Sequence, residues 1–96
     1  MSTLHLLSHS PFTDSRLASC LRLLGPDDGV LLTGDAVYAG ADSQVGAPLQ
    51  QAAIRLYALG EDVHARGLTP GTGVTVIDYP EFVELTLAYD KVNSWL

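Results

Sequence analysis

Apolar residues in this chain fall in short, nearly unbroken runs, separated by stretches where they recur every three or four positions, with glycine or proline at most of the changes. The run at 3–7 predicts a strand, closed by Ser8-His9-Ser10-Pro11, where proline removes a backbone donor and forces a turn. Asp14 is then placed to cap a helix. Leu17, Cys20, Leu21 and Leu24 stand at i, i+3, i+4 and i+7, one helical stripe, and Gly25-Pro26 supplies the stop. Asp27-Asp28-Gly29 reads as a turn into a buried strand at 30–33, with Gly34-Asp35 as its tight exit. A short helix is expected to start at 36–41. The stretch 42–48 carries weak periodicity and predicts a crossover loop leading to a further helical turn.

In the second half, 53–59 reads as a strand and 61–66 as a short helix closed by Gly67. Gly71-Thr72-Gly73 turns into a strand at 75–78. Pro80 suits the first position of a helix running toward Asp90, with Phe82, Val83 and Leu87, and Tyr89 or Thr86, expected on its buried side. Val92, Trp95 and Leu96 follow at i, i+3 and i+4, so a continued helical turn would place them on one side. The order βαβ(α)βαβα, with strands that are almost continuous apolar runs, predicts an α/β fold: a mainly parallel sheet of four or more strands, helices on both faces, and right-handed connections. No repeat, linker or low-complexity segment interrupts it, and 96 residues fit a single domain, 1–96.

Composition narrows the function. The chain is 47% hydrophobic and only 17% charged, enough apolar material to fold and more than so small a surface readily hides, which suggests a face covered by a partner. A net charge of -6 opposes direct binding to nucleic acid. No window approaches the ~20 apolar residues of a membrane span, and the amino-terminal residues lack the pattern of a secretory signal. Cys20 is the only cysteine, so an internal disulfide and a multi-cysteine zinc site are excluded and a reducing, cytoplasmic location is expected.

Candidate chemistry is sparse. Gly71-x-Gly73 precedes a strand and lacks a third glycine, so it fails as a dinucleotide fingerprint, and no phosphate-binding loop motif occurs. His5 and His9 lie on a strand and a loop, where their spacing makes no metal pair, and His64 reads as a surface residue. No metal or cofactor is expected. Asp35 follows a strand at the carboxyl edge of the sheet, where α/β proteins bind ligands; its other reading is a turn former. Asp78 reads as the cap of the helix behind it. Cys20 is the one strong nucleophile and could carry persulfide sulfur, yet its stripe position also suits a buried core thiol, about two turns into its helix and beyond most of the dipole effect. A tryptophan buries up to ~250 Å². Trp95 and Leu96, together with Asp35, are therefore expected at a partner interface.

The ordered set Leu4-His5-Leu6, Ser10-Pro11-Phe12, Ser19-Cys20-Leu21, Gly34-Asp35-Ala36-Val37-Tyr38-Ala39, Tyr57-Ala58-Leu59 with Asp62, Ala65-Arg66-Gly67, Val76-Ile77-Asp78-Tyr79 with Phe82-Val83, and Trp95-Leu96 resembles the TusB/DsrH family along the whole chain. The resemblance implies a small three-layer DsrE/F/H-like fold with a four- to five-stranded sheet. It also implies a cytoplasmic subunit, non-catalytic by itself, of a heterohexamer with TusC/DsrF-like and TusD/DsrE-like subunits. Such complexes take persulfide sulfur from a TusA-like carrier and pass it to a TusE/DsrC-like one, for the 2-thiouridine of wobble-position tRNA. The alternative it implies is a DsrEFH-type complex of dissimilatory sulfur oxidation, with Cys20 as a persulfide-carrying thiol. Two departures stand out: Cys20 sits in a Ser-Cys-Leu setting typical of DsrH-type members, and Gly34-Asp35-Ala36 replaces the family's usual Asp-Gly.

Overall fold

The computed structural model describes residues 2–41, 47, 49 and 54–95. Among them the elements run β1 (Thr3–Leu7), α1 (Arg16–Leu23), β2 (Gly29–Leu32), a 3-10 helix (Gly34–Gly40), β3 (Arg55–Leu59), α2 (Gly60–Ala65), β4 (Val74–Ile77), α3 (Tyr79–Ala88) and β5 (Lys91–Trp95). The strands form one sheet of five in the order β4-β3-β2-β1-β5, every pair parallel. The expected α/β architecture is present. The loop expected at 42–48 lies, apart from Ala47, outside the described residues.

Side-chain alternation divides the core into two layers. Leu7, Val30, Leu32, Leu56 and Ala58 face α1, the 3-10 helix and α2, and bury Cys20, Val37 and Val63 among them. Leu4, Leu31 and Ile77 face the opposite way and receive Tyr89, with Phe82 and Leu85 of α3 packed against them. The central strand β2 is buried at all its positions, Gly29 to Leu32, which is why its sequence is an unbroken apolar run.

Local chemistry sets most boundaries. The Asp78 carboxylate accepts the Glu81 N–H at 2.9 Å while the Asp78 N–H donates to the Glu81 carboxylate at 3.1 Å, a reciprocal capping box ahead of Pro80. Asp78 thus has the capping role expected of it. Asp14 sits one position further out than expected: Ser15 is the N-cap, and the Asp14 carboxylate accepts the Arg16 N–H at 2.8 Å.

Two expectations are corrected. Val83 and Leu87 are 56% and 81% exposed, because the inward side of α3 carries Phe82 and Leu85 instead. The residues after α3 do not continue a helical turn. They form β5, which pairs with β1 from Thr3 and Lys91 to Leu7 and Trp95, since the unpaired edge of β1 offers backbone partners that an isolated turn would lack. Leu96 lies outside the described residues.

Candidate functional site at the carboxyl edge of the sheet

Strands β1 to β4 step outward in one direction, and α3 then carries the chain back so that β5 lands on the other side of β1. The order therefore reverses between β1 and β5, the place where parallel α/β sheets open a crevice beyond their carboxyl ends. A cleft of about 340 Å³ occupies that position. Its apolar walls are Leu6, Leu59, Tyr79, Phe82 and Trp95; Ser8, Thr33, Asp62 and Ser94 supply polar groups.

Gly34 lines the same cleft and turns the chain out of β2 with φ at +51°, a conformation that favours glycine. Its N–H donates to the Asp62 carboxylate at 2.8 Å, which joins the exit of β2 to α2. Next to it, Asp35 accepts two bonds from the Arg66 guanidinium, at 2.8 and 3.1 Å, and Arg66 also reaches the Asp62 carbonyl at 3.2 Å. Asp35 is therefore more than a turn former, although it faces Arg66 while Gly34 faces the cleft. Arg66 stays charged, its guanidinium held up by the Asp35 hydrogen bond first of all.

Trp95 forms the β5 wall. Its indole N–H donates to Nδ1 of the buried His5 at 3.1 Å, and the other His5 ring nitrogen, Nε2, lies 3.1 Å from the Asp28 carboxylate. Asp28 further accepts the N–H of Thr3 at 3.0 Å and that of Gly25 at 2.9 Å. Burial is the largest influence on the Asp28 carboxyl and would raise it, but the Gly25, His5 and Thr3 donors together hold it below its ordinary value. These bonds link the start of β1, the turn before β2 and the end of β5, positions that in the sequence read only as a strand, a turn and a terminal contact.

Cys20 lies elsewhere. It is fully buried in the layer beneath α1, and its thiol is pushed up to about 11 by desolvation and then by the charge of Asp28. At neutral pH it is a protonated thiol in the core, a poor nucleophile. Among the described residues no group of histidine, cysteine and carboxylate side chains is arranged to hold a metal ion, and no helix is long and apolar enough to cross a membrane.

Fold and cleft define a doubly wound parallel α/β domain with its crevice at the strand-order reversal. The chain belongs to the DsrH-like family, whose profile, described as DsrH like protein, matches residues 9–92. Protein TusB of Escherichia coli strain SMS-3-5 / SECEC is 41% identical over 95 residues, covering 96% of this chain and 99% of the relative. Protein TusB of Escherichia coli K12 and of Shigella boydii serotype 18 are each 40% identical with the same coverage. Among solved structures, the crystal structure of the ychN protein from Escherichia coli superposes with a TM-score of 0.82 at 22% identity, over 99% of both chains. The solution structure of Tm0979 from Thermotoga maritima gives 0.63 at 22% identity, over 90% of this chain and 92% of that one. At that identity these two speak for the fold.

Proposed function

We propose that this chain is a cytoplasmic subunit of a TusBCD-type sulfur-relay complex that serves 2-thiolation of the tRNA wobble uridine, and that it acts there as a scaffold and not as the main sulfur carrier. The observation that carries the reading is the complete burial of the only thiol in a chain 40 to 41% identical to TusB proteins over 96% of its length. A persulfide carrier must meet a donor and an acceptor thiol, so it needs an accessible sulfur with thiolate character. The DsrEFH-type alternative with Cys20 as carrier would require α1 to lift from the core.

The partners are TusC/DsrF-like and TusD/DsrE-like subunits, with TusA-like and TusE/DsrC-like carriers reached through the complex. Support for association comes from α3. Val83 and Leu87 lie on its outer side at i and i+4 and are 56% and 81% exposed, and Val92 of β5 is 44% exposed. An isolated domain gains nothing from an apolar stripe on its solvent side, whereas a subunit buries it. Asp35 and Trp95 are assigned to a second partner-facing rim, at the carboxyl edge of the sheet.

The test is native copurification followed by analysis of tRNA. The chain is expected to bring down the two homologous subunits, and Cys20→Ser is expected to leave both assembly and wobble-uridine thiolation near wild type. Loss of thiolation with assembly intact would overturn the scaffold role, and a chain recovered alone would overturn the complex.

A further inference from the structure

The hydrogen bonds around His5 admit only one protonation state. An indole N–H can donate but not accept, so the bond from Trp95 Nε1, at 3.1 Å, requires a lone pair on His5 Nδ1. The proton of the neutral ring therefore sits on Nε2, which donates to Asp28 Oδ2 at 3.1 Å. An imidazolium would carry a proton on Nδ1 as well, and two N–H groups would then point at each other. His5 is 4% exposed, so no solvent is at hand to relieve that contact.

The consequence falls on β5. This edge strand exposes Lys91, Val92, Asn93 and Ser94, and Trp95 is its one residue that packs against the core. Its amino end is tied by a backbone bond from Lys91 N–H to the Ser2 carbonyl at 3.1 Å, with Ser2 N–H donating to the Asp90 carboxylate at 3.0 Å. At its carboxyl end the side-chain tie is the bond to His5.

We propose that His5 and Trp95 form a proton-operated latch: uptake of one proton at His5 Nδ1 unseats the indole and so opens one wall of the cleft, while the backbone pairing of β5 with β1 stays in place. The proton comes from solvent and returns to it, and no covalent bond to carbon, oxygen or sulfur changes. Other ionisable groups near the ring do not substitute for this event. Asp28 faces Nε2 and remains a carboxylate well into the acid range, Cys20 of α1 lies near Asp28 and is a neutral thiol, and Asp90 with Lys91 sits at the far end of the β1/β5 pairing. The latch stands on this geometry and does not depend on the sulfur-relay reading.

Trp95 is the only tryptophan, so selective indole excitation reports it alone. The intact chain is titrated toward acid while Trp95 emission, far-ultraviolet circular dichroism and the ¹⁵N shifts of the His5 ring are followed together. The expected result is an Nε2–H tautomer at neutral pH, then a red shift of Trp95 emission whose midpoint coincides with His5 protonation while the dichroism is retained. Trp95→Phe removes the competing donor and should let Nδ1 take up its proton more readily than in the wild type. His5→Gln should abolish the fluorescence step; should that variant fail to fold, the wild-type titration and Trp95→Phe decide the matter. A His5 that titrates with Trp95 emission unchanged would overturn the latch. So would an Nδ1–H tautomer at neutral pH, or a ring that stays neutral until the whole domain unfolds.

Discussion

The Tyr89 hydroxyl lies directly over Gly29, so close that a Cβ on residue 29 would stand 2.3 Å from the oxygen and 2.8 Å from Cζ. Glycine at the first position of β2 is thus a packing requirement: it lets the tyrosine that closes α3 lie flat on the sheet. Gly29→Ala is expected to lower stability by about 1 to 3 kcal/mol through overpacking. Urea denaturation measures this, and Tyr89→Phe placed on top should recover part of the loss. Full stability in Gly29→Ala alone would mean that the ring has room to move.

Cys20 should react with an aromatic disulfide reagent at least about a hundredfold more slowly in the folded chain than in urea, because attack must wait for an opening of the core. With its thiol pushed up to about 11, any rate seen in the folded state should still be climbing above pH 9 and not levelling there. Equal rates in the folded and unfolded chain would place the sulfur at the surface.

Asp28 makes folding sensitive to acid. Its carboxyl lies below the ordinary 3.8 in the folded chain, so the unfolded state takes up its proton first. The stability this confers is complete above about pH 4 and disappears as pH falls through the lower folded value. Asp28→Ala leaves the Gly25, Thr3 and His5 donors without their acceptor and is expected to cost about 3 kcal/mol near neutral pH. The gap between variant and wild type should narrow below pH 4. Denaturant midpoints measured across that range would show it, and a gap independent of pH would assign the effect to shape alone.

Leu87→Glu places a charge on the outer stripe of α3, where the leucine is 81% exposed. Monomer stability should change by less than about 0.5 kcal/mol, the usual range for surface positions. Recovery of the homologous subunits should nevertheless fall sharply. Undiminished recovery would remove the stripe from the interface.

Asp35→Asn separates two roles for the carboxyl-edge rim. The Asp35 carboxylate is 57% exposed, so its pairing with Arg66 should contribute less than about 1 kcal/mol to stability. If partners contact this rim, sedimentation should reveal a larger loss of association than of folding. The reverse ranking would confine Asp35 to joining the 3-10 helix and α2.

What could be read from the sequence was mostly local. Val30, Leu31 and Leu32 announce a buried strand because a strand covered on both faces is apolar at every position, and Asp78, Pro80 and Glu81 announce a helix start because the capping bonds span only three residues. β5 could not be read this way. Lys91, Asn93 and Ser94 have no strong strand preference, and what makes them a strand is the free edge of β1, supplied by residues at the other end of the chain. The side chains that form the Trp95–His5–Asp28 chain were equally hidden. His5 and Trp95 are 90 positions apart, and Asp28, read as part of a turn, gathers donors from β1 and from Gly25 in the turn after α1. Helical spacing on α3 suggested a buried Val83 and Leu87, since periodicity finds a stripe without saying which side of the helix meets the sheet.

Because β1 and β5 run in parallel, the two ends of the described chain leave the domain at opposite edges. Five paired residues separate those edges by roughly 16 Å. A fusion or affinity tag placed before Ser2 therefore emerges at the amino edge, away from the cleft. The same tag placed after Trp95 emerges beside the cleft and pulls on the strand that His5 holds. Preparations that differ only in tag position should consequently differ in partner recovery, with the amino-terminal tag giving the undisturbed protein.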